Sequence, residues 1–190
     1  MISESLLDNC LDKVISKKNI YSTVMRVENG DGSFSWTGAR GDMKPDSKFY
    51  IASVTKLYVT AVIMSLIEEQ KLCLDDKIGK YLPRHYTEKL HVLKGRDYSD
   101  EITVRHLLSN TSGLPDYFTG TAFTSLLQGN DDDWGFDKTI NTAKEMTPKF
   151  APGKKAAYSD TNYRLLGKII EVAADNDTRA CLHQVQNKLK

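Results

Sequence analysis

The chain has 190 residues, of which 40% are hydrophobic and 27% charged, with a formal net charge of +1; this is ordinary for a globular chain able to bury a sizeable core. The balanced charge, without a basic run long enough to track a phosphate backbone, argues against a nucleic-acid partner, and no stretch is long and apolar enough to span a membrane. Cys10, Cys73 and Cys181 are odd in number and widely spaced, which predicts reduced thiols; with an acidic rather than basic N-terminus, M-I-S-E-S-L-L-D, a cytoplasmic location is expected.

In chain order, residues 2–18 place Ile2, Leu6, Leu7, Cys10, Leu11, Val14 and Ile15 on one face and predict an amphipathic helix. Two strands are predicted next, Ile20 to Val27 and Phe34 to Arg40, joined through Asn29-Gly30-Asp31-Gly32, a strong hairpin signal. After Ile51 everything reads as helix or irregular chain. Helices are predicted at Val54 to Gln70, Thr103 to Ser109, Thr121 to Gln128, Phe136 to Glu145, Tyr163 to Ala174 and Ala180 to Leu189, with Asn162 or Thr161 as a cap for the fifth. Gly113, Pro115, Pro148, Pro152 and Gly153 mark loops between them. A two-stranded ribbon is marginal by itself, so its apolar residues need more strands or helix cover.

Ser53 is the only serine with a lysine three residues on. Three residues is close to one helical turn, so Lys56 is expected on the same face as Ser53, within reach of its hydroxyl. The helix start also offers free N–H groups and a positive dipole end that favour developing negative charge. S-x-x-K by itself is common, and the bland alternative is that Ser53 only caps the helix. A capping box would then want Glu or Gln at the fourth position, and Lys56 has the wrong charge for a helix start. Tyr158-Ser159-Asp160 adds a phenol to the serine and the amine, the parts of a serine acyl-transfer site.

Three segments together resemble one family: S-V-T-K at 53–56, H-L-L-S-N-T-S-G-L-P-D-Y at 106–117, and F-A-P-G-K-K-A-A-Y-S-D-T-N-Y-R-L-L-G-K-I-I-E at 150–171. They are similar to the serine beta-lactamase-like family of class C beta-lactamases, DD-peptidases and related carboxylesterases, from about Tyr21 onward. The resemblance implies an α/β, beta-lactamase/transpeptidase-like fold in one domain over residues 1–190, with a helical subdomain and an incomplete antiparallel sheet made of the N-terminal helix and hairpin only. It makes Ser53 the acylated nucleophile, Lys56 its activating amine and Tyr158 the phenolic proton shuttle. Asp160 stands at the substrate-binding position where the family's Y-x-N motif most often has Asn. An amide can donate to a substrate carbonyl, whereas a carboxylate only accepts, and its charge favours a protonated Lys56, leaving more of the proton transfer to Tyr158. An S-D-N register at Ser159-Asp160 fails because Thr161 replaces the required Asn.

The family's third motif, K-T-G or H-x-G on a C-terminal strand, occurs nowhere among the 190 residues, and the family domain is longer. The chain is therefore expected to be an N-terminal part lacking the C-terminal strands. The implied function is a serine hydrolase that forms an acyl-enzyme with an amide or ester carbonyl, in a beta-lactam, a D-amino-acid peptide or a small ester. The alternative is a weak or inactive relative that binds a ligand or partner chain, self-associates, or pairs with the missing segment. No cofactor or metal is expected, since His85, His91, His106 and His183 lack metal-ligand spacing. His106 reads as structural. Asp131, Asp133, Gly135 and Asp137 match a calcium loop poorly, with Thr142 where a bidentate Glu is needed. Asn110-Thr111-Ser112 and Asn176-Asp177-Thr178 match glycosylation acceptors by chance. Asp116 and Tyr117 follow the S-G-L-P turn and stand either at the pocket rim or in the packing of that turn.

Overall fold

The computed structural model describes residues 2–130, 134–175 and 181–182. The chain divides into two compact units, Met1–Ile51 and Ala52–Lys190.

In the first unit, helix α1 (Glu4–Ile15) starts at Ser3, whose hydroxyl accepts from the Leu6 N–H, and Glu4 complements the positive end of the helix dipole. The helix is shorter than the predicted 2–18, and its inward face is narrower. Leu7 and Leu11 are buried against Trp36, whereas Ile2 and Leu6 are exposed. Strands β1 (Thr23–Glu28) and β2 (Ser35–Arg40) form the predicted antiparallel hairpin, with Thr23 opposite Arg40 and Glu28 opposite Ser35. Residues 20–22 do not join the strand; the Ile20 N–H donates to the Lys17 carbonyl in a turn through Asn19 at φ 68°. At the hairpin end, the Asn29 side chain accepts from the Phe34 N–H and Asp31 accepts from the Ser33 N–H, so the turn residues close the loop on themselves. Arg40 reaches Asp8 and Asp12, one helical turn apart, at 2.9 and 2.6 Å and fixes α1 along the ribbon. Gly38 lets the Trp36 ring and Leu11 close over the strand: a Cβ there would lie 2.5–2.6 Å from both.

The second unit holds α2 (Thr55–Glu68), α3 (Arg84–Thr87), a small ladder of β3 (Val92–Leu93) with β4 (Arg96–Asp97), and then α4 (Val104–Leu108), α5 (Thr121–Leu127), α6 (Phe136–Glu145) and α7 (Asp160–Ala174). Helices α2, α4 and α6 pack on α7. Its Leu165, Leu166, Ile169 and Ile170 are completely buried among Val62, Ile63 and Leu66 of α2, Leu107 of α4 and Ile140 of α6. Burying each such side chain contributes about 1.5–3 kcal/mol, so α7 is the hub of this unit.

Three sequence expectations are corrected here. Chain after Ile51 is not only helical or irregular. Val92–Asp97 turns through Lys94 at φ 51° and Gly95 at φ 81°, the paired left-handed residues of a two-residue hairpin loop. Helix α7 begins at Asp160, with Ser159 as its N-cap residue, and not at Tyr163 with an Asn162 or Thr161 cap. Both of those side chains are buried inside and bonded elsewhere. Finally, α2 begins at Thr55 after a separate 3-10 turn at Ala52–Val54. The predicted helix from Ala180 to Leu189 lies outside the described residues except for helical Cys181 and Leu182.

Candidate active site

Ser53 sits in the middle of the 3-10 turn, and α2 takes no side-chain cap. The capping role for Ser53 is thereby removed, and its hydroxyl is directed to other side chains. Ala52, immediately before it, is held at φ 45°, a left-handed conformation costing a non-glycine residue on the order of 1–3 kcal/mol and typical of functional turns. Lys56 lies in the first turn of α2, and its Nζ donates to Ser53 Oγ at 3.1 Å. From the other side the Tyr158 hydroxyl meets Ser53 Oγ at 2.7 Å. Asp160 Oδ1 pairs with Lys56 Nζ at 2.5 Å and accepts from the Tyr158 hydroxyl at 3.2 Å. All four residues proposed from the sequence thus converge, although 105 positions separate Ser53 from Tyr158.

The Tyr158–Asp160 segment is held by the S-N-T-S-G-L-P-D-Y loop. The Pro115 carbonyl accepts from both Ser159 Oγ and Thr161 Oγ1, at 2.9 and 2.7 Å. Asn110 Oδ1 accepts from the Ser159 N–H and from Asn162 Nδ2, and Asn162 Oδ1 in turn accepts from Ser112 Oγ at 2.6 Å. Asp116 Oδ1 accepts from the Asp160 N–H at 3.2 Å, and Thr161 Oγ1 accepts from the Tyr117 N–H. Gly113, at φ 78°, is obligatory: a Cβ would fall 1.9 Å from the Phe150 carbonyl oxygen, which also meets His91 Nε2 at 2.9 Å. Asp116 therefore anchors the start of α7 and is more than a rim residue. Asn110, Ser112 and Asn162 lie within the motif segments, but on sequence alone they read as a glycosylation match and a helix cap, with no part in placing the site. Tyr163, expected only as the start of a helix, is also at the site; its ring lies 5.4 Å from Lys56 Nζ, and the Tyr158 ring lies 5.0 Å away.

Electrostatics couple the same groups. Partial burial pulls on the Lys56 ammonium to release its proton, but Asp160 and Tyr158 outweigh that, and Lys56 holds its proton above the ordinary lysine value. Burial, with the Asp160 charge adding to it, pushes the Asp116 carboxyl up, and burial likewise raises Tyr117. His106 is structural, as expected: its Nδ1 accepts from the Thr103 N–H while Thr103 Oγ1 accepts from the His106 N–H. Among the described residues no group of His, Cys, Asp and Glu could hold a metal ion. Asp131, Asp133, Asn176 and His183 lie outside the described residues, while Asp137 accepts from the Tyr86 hydroxyl at 2.6 Å.

The beta-lactamase family model matches residues 16–185. The chain belongs to the beta-lactamase family. It is 34% identical over 130 residues to N-acetylmuramyl-L-alanine amidase of Bacillus subtilis (strain 168), covering 68% of this chain and 28% of that protein. Over 177 residues it is 30% identical to penicillin-binding protein 4* of the same organism, covering 88% of this chain and 36% of the relative. Among solved structures, the D-stereospecific amidohydrolase from Streptomyces sp. superposes with a TM-score of 0.81 at 26% identity, over 96% of this chain and 53% of that one. The fold is accordingly beta-lactamase/transpeptidase-like, and this beta-lactamase-family chain spans roughly a third of those two curated relatives and about half of the Streptomyces structure.

Proposed function

We propose that this beta-lactamase-family chain carries the acylation half of a serine hydrolase, with Ser53 attacking an amide or ester carbonyl to form an acyl-enzyme. The observation that carries the reading is the position of Ser53 Oγ, bonded at once to Lys56 Nζ and the Tyr158 hydroxyl. A serine hydroxyl is a weak nucleophile until a neighbour takes its proton, and these two groups are the ones in hydrogen-bond reach. The N-terminus of α2 beside Ser53 supplies a positive dipole end for the charge that develops on the attacked carbonyl. The serine proton leaves by way of Tyr158, beside the Lys56 cation, and returns to the leaving group, and water then releases the acyl chain. Relatives named as amidase, D-stereospecific amidohydrolase and penicillin-binding protein support a beta-lactam or a D-amino-acid peptide as substrate, with a small ester as the remaining candidate for the same acyl chemistry.

The test is covalent labelling with a fluorescent penicillin and with a fluorophosphonate, the adduct being mapped by mass spectrometry. Modification of Ser53 is expected, and it disappears in Ser53→Ala. Because such residues act as a unit, Lys56→Ala and Tyr158→Phe should each lose nearly as much as Ser53→Ala. Labelling at another residue, or unchanged labelling of Ser53→Ala, overturns the assignment. A second reading, ligand binding with little turnover, draws support from the Asp160–Lys56 ion pair, because an ammonium cannot serve as a base. A persistent Ser53 adduct without product accumulation would select it.

A further inference from the structure

The hydrogen bonds around Ser53 have a direction that follows from donor inventory. An ammonium has donors and no acceptor, so in the bond between Lys56 Nζ and Ser53 Oγ the serine oxygen accepts. The serine keeps its own hydrogen to give away. Tyr158 has a single hydroxyl hydrogen, and the acceptor-only carboxylate of Asp160 takes it through Oδ1 at 3.2 Å. With its hydrogen committed, the Tyr158 oxygen acts as the acceptor in the 2.7 Å bond to Ser53. The order is then Ser53 O–H to Tyr158 O–H to Asp160 carboxylate, with the Lys56 ammonium bridging the two ends.

From this geometry we infer that Asp160 is the final acceptor of the Ser53 proton, reached through Tyr158, and that Lys56 works as a fixed cation. The inference rests on the acyl-enzyme reading above and deepens it. As the Ser53 Oγ–carbon bond forms and the carbonyl π pair moves onto its oxygen, the serine proton passes to the Tyr158 oxygen and the tyrosine proton passes to Asp160. On collapse the bond to the leaving group breaks, and the proton returns from Asp160 through Tyr158 to that group, so atoms and charge balance without a co-reactant. Lys56 remains charged throughout, in keeping with the direction in which Asp160 and Tyr158 move it. An asparagine at this place could not end the relay, because an amide oxygen is a far weaker base than a carboxylate.

The charged and titratable groups facing Asp160 come from several elements. Lys56 comes from α2, Tyr158 from the segment before α7, and Asp116 and Tyr117 from the loop after α4. Lys149 donates to the Tyr158 carbonyl at 3.4 Å and partly counters the upward push of burial on the Asp116 carboxyl. Asp116 also bonds the Asp160 N–H, so the carboxylate that receives the proton is fixed at its backbone.

The deciding experiment follows the rate of fluorophosphonate labelling of Ser53 against pH in the unsubstituted chain, Asp160→Asn and Asp160→Glu. Each fluorophosphonate event breaks one P–F bond as one Ser53 O–P bond forms, and the serine proton leaves with fluoride. A relay predicts that labelling at neutral pH falls roughly a hundredfold in Asp160→Asn, the usual scale of a positioned proton acceptor. Asp160→Glu, which keeps the carboxylate, should recover a large part of it. A purely electrostatic role predicts the opposite sign, since Asp160→Asn frees Lys56 to lose its proton and speeds neutral labelling; equal or faster labelling overturns the relay while leaving Ser53 as nucleophile. If the unsubstituted chain shows no Ser53 labelling at any pH, both readings fall. Should Asp160→Asn fail to fold by circular dichroism, the proton inventory of the unsubstituted chain in H2O–D2O mixtures decides. A bowed inventory fits two protons in flight, and a linear one overturns the relay.

Discussion

Asp160 Oδ1 lies 2.5 Å from Lys56 Nζ, and the two side chains keep only 22% and 18% of their surface in solvent. A pair this sheltered is screened less than a surface one, and losing one partner leaves the other exposed to the burial penalty alone. For Lys56 burial is the largest influence and acts to remove the proton, while Asp160 more than restores it with help from Tyr158.

The Asp160→Asn substitution is therefore expected to shift the Lys56 titration to lower pH. The sign follows from removing the group that raises Lys56 while the burial that lowers it stays. Selective 13C-methylation of lysines with NMR detection reads this titration directly, independently of any reaction. An unchanged Lys56 midpoint would show that the ion pair does not govern the lysine.

The loop that holds α7 gives a stability prediction. Gly113→Ala introduces a Cβ 1.9 Å from the Phe150 carbonyl oxygen at φ 78°, so backbone must move, and a loss of at least about 1–3 kcal/mol is expected. Asn162→Ala leaves the buried Ser112 hydroxyl hydrogen without its acceptor and removes one of the two donors to Asn110 Oδ1, and should cost about 1–3 kcal/mol. In both variants Ser53 labelling should fall along with the midpoint of urea unfolding, because Tyr158 and Asp160 are placed by this loop. Full labelling in a destabilised Asn162→Ala would separate the loop from the site.

His106 predicts a pH dependence. Burial, with Lys77 adding to it, holds the imidazole below its ordinary 6.5, and Nδ1 must stay unprotonated to accept from Thr103 N. The unfolded chain therefore binds this proton more readily than the folded one. The contribution of His106 is fully present above about pH 6.5 and is lost as pH falls from there toward the lowered folded value. His106→Gln keeps a capping-box acceptor without a titrating ring. Its unfolding midpoint should match the unsubstituted chain at pH 8 and decline less on acidification, as followed by circular dichroism; parallel declines would assign the acid sensitivity elsewhere.

Local chemistry made much of this protein legible from its sequence. The turn residues Asn29 to Gly32 mark the hairpin, α6 runs over Phe136–Glu145 as predicted, and the Ser53–Lys56 spacing needs only one helical turn to bring hydroxyl and amine together. The resemblance carried by three motifs identified the family. Other features depended on chain brought from far away. Thr161 and Asn162 look like helix caps on their own, but the Pro115 carbonyl and the Asn110 amide offer them buried partners, so α7 starts two to three residues earlier than those caps would place it. Lys94-Gly95 carries no strong turn signal, and the β3–β4 ladder forms there because both residues adopt positive φ. The chain itself carried the side chains on which the proposed chemistry rests. Tertiary structure decided their arrangement, because packing α7 against α2 brings the segment before α7 alongside Ser53 and sets the Tyr158 hydroxyl between Ser53 and Asp160.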